Sequence, residues 1–377
     1  MPSKVNHPHI VIDARLYGPR HTGLGRYTKN LLIALTNLPE FDRYRFTLII
    51  YPELKTEIKK DLGNKFEYYV TRIRHYTFAE QFFLPLILWS LQPSLVHFTH
   101  LDKPILYFGK SVVTVHDLIR HFSKGSDTTT RSPLLYWPKY WGYLLMSSFI
   151  IRFNHLIVPS NFWRNYIIDY YHVDPSRIVT TYEAVDPSII APQKKSSSPP
   201  QNYLLYTGNL YPHKNIEVVF RSLQKIPSLK LKIICARDVF HERAVKLTAK
   251  LGLTKQVDFL GYIPDEEFIN VYQKALALVH PAFLEGFSLT GLEAMALGTP
   301  VIAANSSCLP EIYEKSVLYF DPKNPDDLVK VIKQLQKKPT LRKELIGLGY
   351  NQVAKYSWTK TAAKTLSFYH DVISTNG

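Results

Sequence analysis

Short apolar runs punctuate this chain, and stretches of helical periodicity separate them. HIVIDA (9–14), FTLIIY (46–51), LVHF (95–98), VVTV (112–115) and HLIVP (155–159) are four to six residues long and rich in β-branched side chains. Runs of that length are strands buried on both faces of a parallel sheet. Between the first two, Tyr27, Leu31 and Leu35 recur at i, i+4 and i+8, which predicts an amphipathic helix over 27–38. A second helix is predicted over FWRNYIIDYY (162–171), with Ser160 as its N-cap. The pattern lapses at QKKSSSPPQ (193–201), a polar Ser/Pro-rich stretch suited to an interdomain linker. It resumes with YLLYTG (203–208), a helix over 215–225, and the strands LKIIC (231–235), VDFLG (257–261) and LALVHP (276–281). A last helix is predicted over 358–373. Two βα repeats joined by a linker predict an α/β chain of two doubly wound, Rossmann-like domains. The expected boundaries are 1–187, 188–357 and a terminal segment 358–377.

Composition narrows the class. With 377 residues, 46% apolar and 20% charged, the chain can bury two cores and is not disordered. Two cysteines, Cys235 and Cys308, make no disulfide framework and lack metal spacing, so a reducing cytosol is the expected home. MPSKVNHPHIVIDA runs into a strand without a signal-peptide pattern. The net charge of +15 permits nucleic acid, anionic lipid or a phosphorylated substrate as partner. It divides as +7 in residues 1–186 and +8 in the remainder, which argues against a dedicated nucleic-acid arm.

No apolar run is long enough to span a bilayer. FFLPLILWSL (82–91) and GYLLMSSFII (142–151) are read first as buried core helices. A sharper reading concerns residues 131–153, crowded with Tyr136, Trp137, Tyr140, Trp141, Tyr143, Phe149 and Phe153. From Lys103 to Arg164 there are eight Lys/Arg against two Asp, so an anionic membrane surface is a candidate partner and a peripheral membrane location a candidate site.

The densest chemistry lies in HPAFLEGFSLTGLEAMALGTPVI (280–302). Glu285 and Glu293 stand eight residues apart, and a Gly-Phe-Ser turn between them precedes a helix, whose N-terminus attracts anions. The pattern places Glu293 about two turns into that helix. A phosphate seat beside a carboxylate suggests a nucleotide-linked ligand. Lys214 in GNLYPHKN (208–215) leads toward another helix start, where ammonium and helix dipole serve one anion. Gly23 and Gly25 in GLGR lie between strand and helix and let backbone approach a ligand. His116-Asp117 ends a strand, where polar residues of such sheets reach a ligand crevice. His97 and His100 have metal-like spacing but no third ligand, and no Asp-x-Asp occurs anywhere. No metal site is expected.

These motifs resemble, over nearly the whole chain, the retaining GT-B glycosyltransferases of family 4 (group 1), mannosyltransferases in particular. EGFSLTGLE matches the E-x7-E motif, VHDL the histidine-aspartate motif, GLGRY the first glycine loop, and GNLYPHKN the lysine segment. The resemblance implies two domains facing across a cleft, with the last helix packing back on the first. It implies transfer of a hexose, of mannose or glucose type, from a GDP- or UDP-sugar to an acceptor hydroxyl with retention. No cofactor is implied beyond the donor substrate, and no metal. The acceptor would be a glycan or lipid-linked glycan, in cell-surface glycan or glycolipid synthesis. His116 would lie against the transferred sugar, Glu285 near its hydroxyls, and Lys214 on the donor diphosphate. Gly208, Asn209, Gly286, Phe287, Ser288 and Leu289 would line sugar or phosphate, with Gly23 and Gly25 under the diphosphate or acceptor. Glu293 would grip the ribose. Asn209 stands where many members carry arginine, so His213 or Arg237 is the candidate replacement cation. Thr290-Gly291 stands where many carry a proline pair. A sugar-nucleotide epimerase of the same fold, and a basic nucleic-acid binder, remain as alternative readings.

Overall fold

The computed structural model describes residues 7–125, 133–190, 200–261 and 263–375. The linker expected at 193–201 lies almost entirely outside these residues. Packing divides the chain into two compact units. The first comprises residues up to Asp117, residues 139–183 and everything from Ser357 onward. The second comprises Ala184 to Tyr356 together with the segment just after Asp117, so the change of unit falls at 183/184 and 356/357.

The first unit is built on a seven-stranded sheet, all pairs parallel. Its strands are β1 (His9–Asp13), β2 (Arg45–Ile50), β3 (Glu67–Val70), β4 (Leu95–Phe98), β5 (Ser111–Thr114), β6 (His155–Val158) and β7 (Ile178–Thr180). Their spatial order is β3-β2-β1-β4-β5-β6-β7. The second unit repeats the plan with β8 (Tyr203–Thr207), β9 (Lys230–Ile234), β10 (Val257–Phe259), β11 (Ala277–His280), β12 (Val301–Ala304) and β13 (Leu318–Phe320), ordered β10-β9-β8-β11-β12-β13. In both sheets the order reverses once, between β1 and β4 and between β8 and β11. Connections there leave toward opposite faces and open a crevice at the strands' carboxyl ends. The chain is thus α/β with two Rossmann-like parallel sheets. β1, β4, β5, β11 and β12 are buried residue by residue, as their unbroken apolar runs require.

Three sequence expectations are corrected. The first helix begins at Thr22 and ends at Leu35, so Gly23 and Gly25 belong to its first turn and not to a preceding loop. The helix after Ser288 begins at Leu289, so Glu293 is its fifth residue, little more than one turn in. The runs 82–91 and 142–151 are not wholly core. They lie in helices Phe78–Leu91 and Pro133–Phe153, whose outer faces are apolar and exposed. Phe78, Phe82, Phe83, Leu86 and Trp89 occupy the outside of the first, and Trp141, Leu145, Phe149 and Phe153 form an i, i+4, i+8, i+12 stripe on the second. Among the described residues no helix is long and apolar enough to cross a membrane.

The last helix, Trp358–Ser374, packs against the Thr22–Leu35 helix and β4. Ser357 caps it by accepting from the Lys360 N–H. Tyr369 bonds His97 Nδ1 at 2.5 Å, while His97 Nε2 bonds the Thr114 hydroxyl at 2.8 Å. Burial holds His97 down at about 3, so it is neutral and structural. Both cysteines are buried and unpaired.

Candidate active site

In the second unit, the residues singled out by sequence converge on the β8/β11 reversal. β8 ends at Thr207, and Gly208 follows with φ +135°, a conformation that favours glycine. Asn209 has an exposed side chain, and its carbonyl accepts from the Tyr206 hydroxyl at 2.5 Å. A 3-10 turn, Pro212–Lys214, then delivers Lys214, and Asn215 starts the next helix in the left-handed region with φ 55°. The Asn215 amide fixes that turn by donating to the carbonyls of Pro281 at 3.1 Å and Pro322 at 2.8 Å.

On the neighbouring strand, β11 ends at His280 and the chain turns through Glu285 to Ser288. Lys214 Nζ donates to Glu285 Oε2 at 2.7 Å, and His280 Nε2 meets Glu285 Oε1 at 2.7 Å. Burial alone would raise the Glu285 carboxyl, but the Lys214 charge and the His280 contact hold it well below the usual carboxylate range. His280 Nδ1 is met by the Ser288 hydroxyl at 3.0 Å and the Tyr313 hydroxyl at 3.1 Å. Ser288 and Tyr313 also bond each other, and Tyr313 donates to the Ser288 carbonyl at 3.0 Å. Ser288, with φ 84°, is the left-handed N-cap of helix Leu289–Ala296. The buried network Lys214–Glu285–His280–Ser288–Tyr313 therefore holds a strained turn at a helix start.

Tyr313 was not legible as a site residue, and its presence explains Gly291. A Cβ there would collide with the Tyr313 ring, so glycine at 291 makes room for this hydroxyl. Cys308 adds weak sulfur contacts to the Glu285 carbonyl at 3.4 Å and the Phe287 carbonyl at 3.7 Å. Phe287 packs edge-on to Tyr356, and Glu293 is buried in the helix. His213 is corrected as a replacement cation. Burial and the Lys214 charge hold it at about 4, so it is neutral near pH 7. Arg237 is exposed just beyond β9.

In the first unit, His116 follows β5. Its Nε2 meets the Thr99 carbonyl at 2.9 Å and its Nδ1 faces Glu183 Oε1 at 3.4 Å. Tyr27 packs edge-on against the ring, with centroids 4.6 Å apart. Burial works against the imidazolium, but Glu183 outweighs it and the His116 pKa is raised. Gly25 is required by packing, because a Cβ would run into the Gly18 carbonyl, whereas a Cβ on Gly23 meets nothing. His97 and His100 turn apart. The first binds the last helix, and the second lies beside His75 with ring centroids 4.7 Å apart.

Comparison with known proteins agrees with this geometry. Residues 21–189 match the model described as Glycosyltransferase Family 4, and residues 189–352 match Glycosyl transferases group 1. The chain belongs to glycosyltransferase family 4. It is an enzyme of the glycosyltransferase class. The O-antigen chain mannosyltransferase RfbU of Salmonella typhimurium is 26% identical over 367 residues, 93% of this chain and 96% of that one. The O-antigen chain mannosyltransferase B of Escherichia coli is 30% identical over 228 residues, 57% and 60% of the two chains. Among solved structures, sucrose-phosphate synthase from Thermosynechococcus elongatus superposes with a TM-score of 0.73 at 18% identity, covering 97% of this family 4 chain and 98% of the other. The lipopolysaccharide-biosynthesis glycosyltransferase WaaG gives 0.69 at 15% identity, over 97% and 100%. These likenesses establish the GT-B fold.

Proposed function

We propose that this family 4 enzyme transfers a hexose, mannose in the first instance, from a GDP- or UDP-sugar to a hydroxyl of a glycan or lipid-linked glycan, with retention. The observation that carries the reading is the Lys214–Glu285–His280 chain beside the Ser288-capped helix. A diphosphate reaching Lys214 shares its ammonium with Glu285, which leaves the carboxylate oxygens to hydrogen-bond sugar hydroxyls. Glu293 is assigned to the ribose, and backbone amides of residues 286–289 to phosphate or sugar. Arg237 is assigned the cationic role that Asn209 does not fill. His116 is assigned to positioning the transferred sugar. In the reaction the anomeric carbon–oxygen bond to the diphosphate breaks as a bond to the acceptor oxygen forms. The acceptor's proton passes to the departing phosphate. Lys214 and amide dipoles offset the developing charge, so no metal is assigned to the transfer step.

The names of the mannosyltransferase relatives support mannose and a cell-surface glycan. The exposed apolar faces of helices Phe78–Leu91 and Pro133–Phe153, with Arg72 and Arg74 exposed beside the former, support an acceptor presented at an anionic membrane surface. Calorimetric titration with GDP, UDP and ADP, with and without Mg2+, tests the donor assignment. One nucleotide is expected to bind selectively, without Mg2+, and binding is expected to vanish in Glu293→Ala. Binding of none of the three, or equal binding by the variant, sinks the proposal.

A further inference from the structure

Behind the β1/β4 reversal of the first unit lies a polar cluster that the transfer chemistry does not use. Arg15 is fully buried and bonds Asp13 at 2.6 Å and Glu80 at 2.5 Å. Around this pair stand His75, His100 and Asp102, drawn from the loops after β3 and β4. Three acidic side chains, Asp13, Glu80 and Asp102, surround the single Arg15, and burial together with the Asp102 charge pushes the Glu80 carboxyl up to about 8, so it is protonated near pH 7. The Lys103 ammonium donates to the Tyr107 carbonyl at 2.6 Å. Asp13 and Asp102 against Arg15 leave one negative charge in a buried place, where an unbalanced charge costs several kcal/mol.

The histidines are the second anomaly. His100 has a side chain only 4% exposed, and neither of its ring nitrogens has a hydrogen-bond partner. Its Nε2 lies 3.7 Å from Asp102 Oδ2, beyond hydrogen-bond reach. His75 Nε2 is likewise buried and unpartnered, 3.9 Å from Asp13 Oδ2. Buried polar groups in native proteins are almost always paired.

We propose that His75, His100 and Asp102 bind a first-row divalent metal of the zinc class, which joins the two loops at the carboxyl end of β1. One nitrogen from each histidine and one Asp102 oxygen all lie within 4.8 Å of one another. Tetrahedral zinc with ligands at about 2.0–2.1 Å sets them about 3.3 Å apart, so closure needs side-chain shifts of roughly an ångström. Two imidazoles and a carboxylate favour zinc, cobalt or nickel over magnesium or calcium. A dication also offsets the residual negative charge beside Asp102.

The surroundings have the form that orients metal ligands. The Tyr51 hydroxyl accepts from the His75 backbone N–H at 3.1 Å and sits 2.8 Å from Nδ1. When Nδ1–H donates to that hydroxyl, the Nε2 lone pair is turned to the cluster. Asp102 Oδ2 accepts from the Tyr76 N–H at 3.1 Å, which fixes the carboxylate. The site is separate from the Lys214–Glu285 network, and the donor assignment does not depend on it.

The test uses tag-free full-length protein. Metal analysis is expected to give about one transition-metal ion per chain, or uptake of about one Co2+ with the visible bands of a tetrahedral site. His100→Ala is expected to abolish this, and Tyr51→Phe to weaken it about 10–100-fold in competition with a chelator. If native protein neither retains nor takes up a metal, the proposal fails, and that result holds even if His100→Ala does not fold. Equal stoichiometry in native protein and a folded His100→Ala variant also overturns it. Neither readout involves donor or acceptor.

Discussion

Replacing Glu285 by glutamine tests the centre of the second-unit network. The substitution keeps volume and shape and removes one charge. Lys214 and Glu285 have side chains only 18% and 11% exposed, so solvent screens their 2.7 Å contact weakly. Hydrogen bonds to charged groups contribute about 1.5–3 kcal/mol each, and Glu285 makes two, to Lys214 and His280. Removing one partner of a buried pair outright costs about 3–5 kcal/mol. Glutamine can still accept from Lys214, so the expected loss is at the lower end, about 3 kcal/mol at pH 7.

The pH dependence separates this cause from general damage. The folded Glu285 carboxyl titrates below its ordinary value of 4.5. Its stabilisation is therefore fully present above pH 4.5 and is lost as pH falls through the lower folded value. Urea unfolding of both proteins, followed through a probe in the second unit and fitted separately for each unit, measures the gap. The gap should be widest near neutrality and should shrink as pH falls below 4.5, because the unfolded carboxyl then takes up a proton while the folded one is still ionised. A gap under about 0.5 kcal/mol at pH 7, or one constant with pH, refutes the charge-pair account.

Three further predictions are independent of that one. Gly291→Ala drives a methyl into the Tyr313 ring and should cost about 1–3 kcal/mol in unfolding while weakening nucleotide binding. A variant with unchanged melting and affinity would show that the ring moves freely. Gly25→Ala should be strongly destabilising because its Cβ meets the Gly18 backbone, whereas Gly23→Ala should melt within about 0.5 kcal/mol of the parent. Equal melting points would contradict the packing reason. Phe82→Asp combined with Leu86→Asp should abolish sedimentation with anionic vesicles without lowering the melting temperature, since both side chains are exposed. Unchanged vesicle binding would remove this face from the membrane assignment.

What could be read from the sequence follows the range of each interaction. Strand positions were legible because burial on both faces writes an uninterrupted apolar run, and LVHF coincides with β4 residue for residue. β3 carries a half-exposed Glu67–Val70, and β7 is only three residues long, so neither leaves such a run. The start of the first helix was misplaced because glycines read as loop, although Gly25 is there to pass the Gly18 carbonyl. Helix Phe78–Leu91 reads as core because hydropathy counts residues without their neighbours. Nothing in 82–91 says that one apolar face is left exposed among the described residues.

The candidate site divides in the same way. Lys214, Glu285 and Glu293 sit in contiguous motifs because a turn and the helix after it must present them together. His280 was within the motif, yet its role depends on distance. It bridges Glu285 to Ser288 and Tyr313 only because β11 ends there and the Leu309–Tyr313 helix returns Tyr313 across 33 residues. Tyr51 and His75 meet 24 residues apart for a comparable reason, since β2 and β3 are parallel neighbours whose carboxyl ends lie together. A parallel sheet gathers the residues after every strand at one end, whatever their separation in sequence. Groups that touch a ligand through a local turn therefore leave a motif. Groups that orient those side chains come from other strand ends, and their pairing is written only in the strand order.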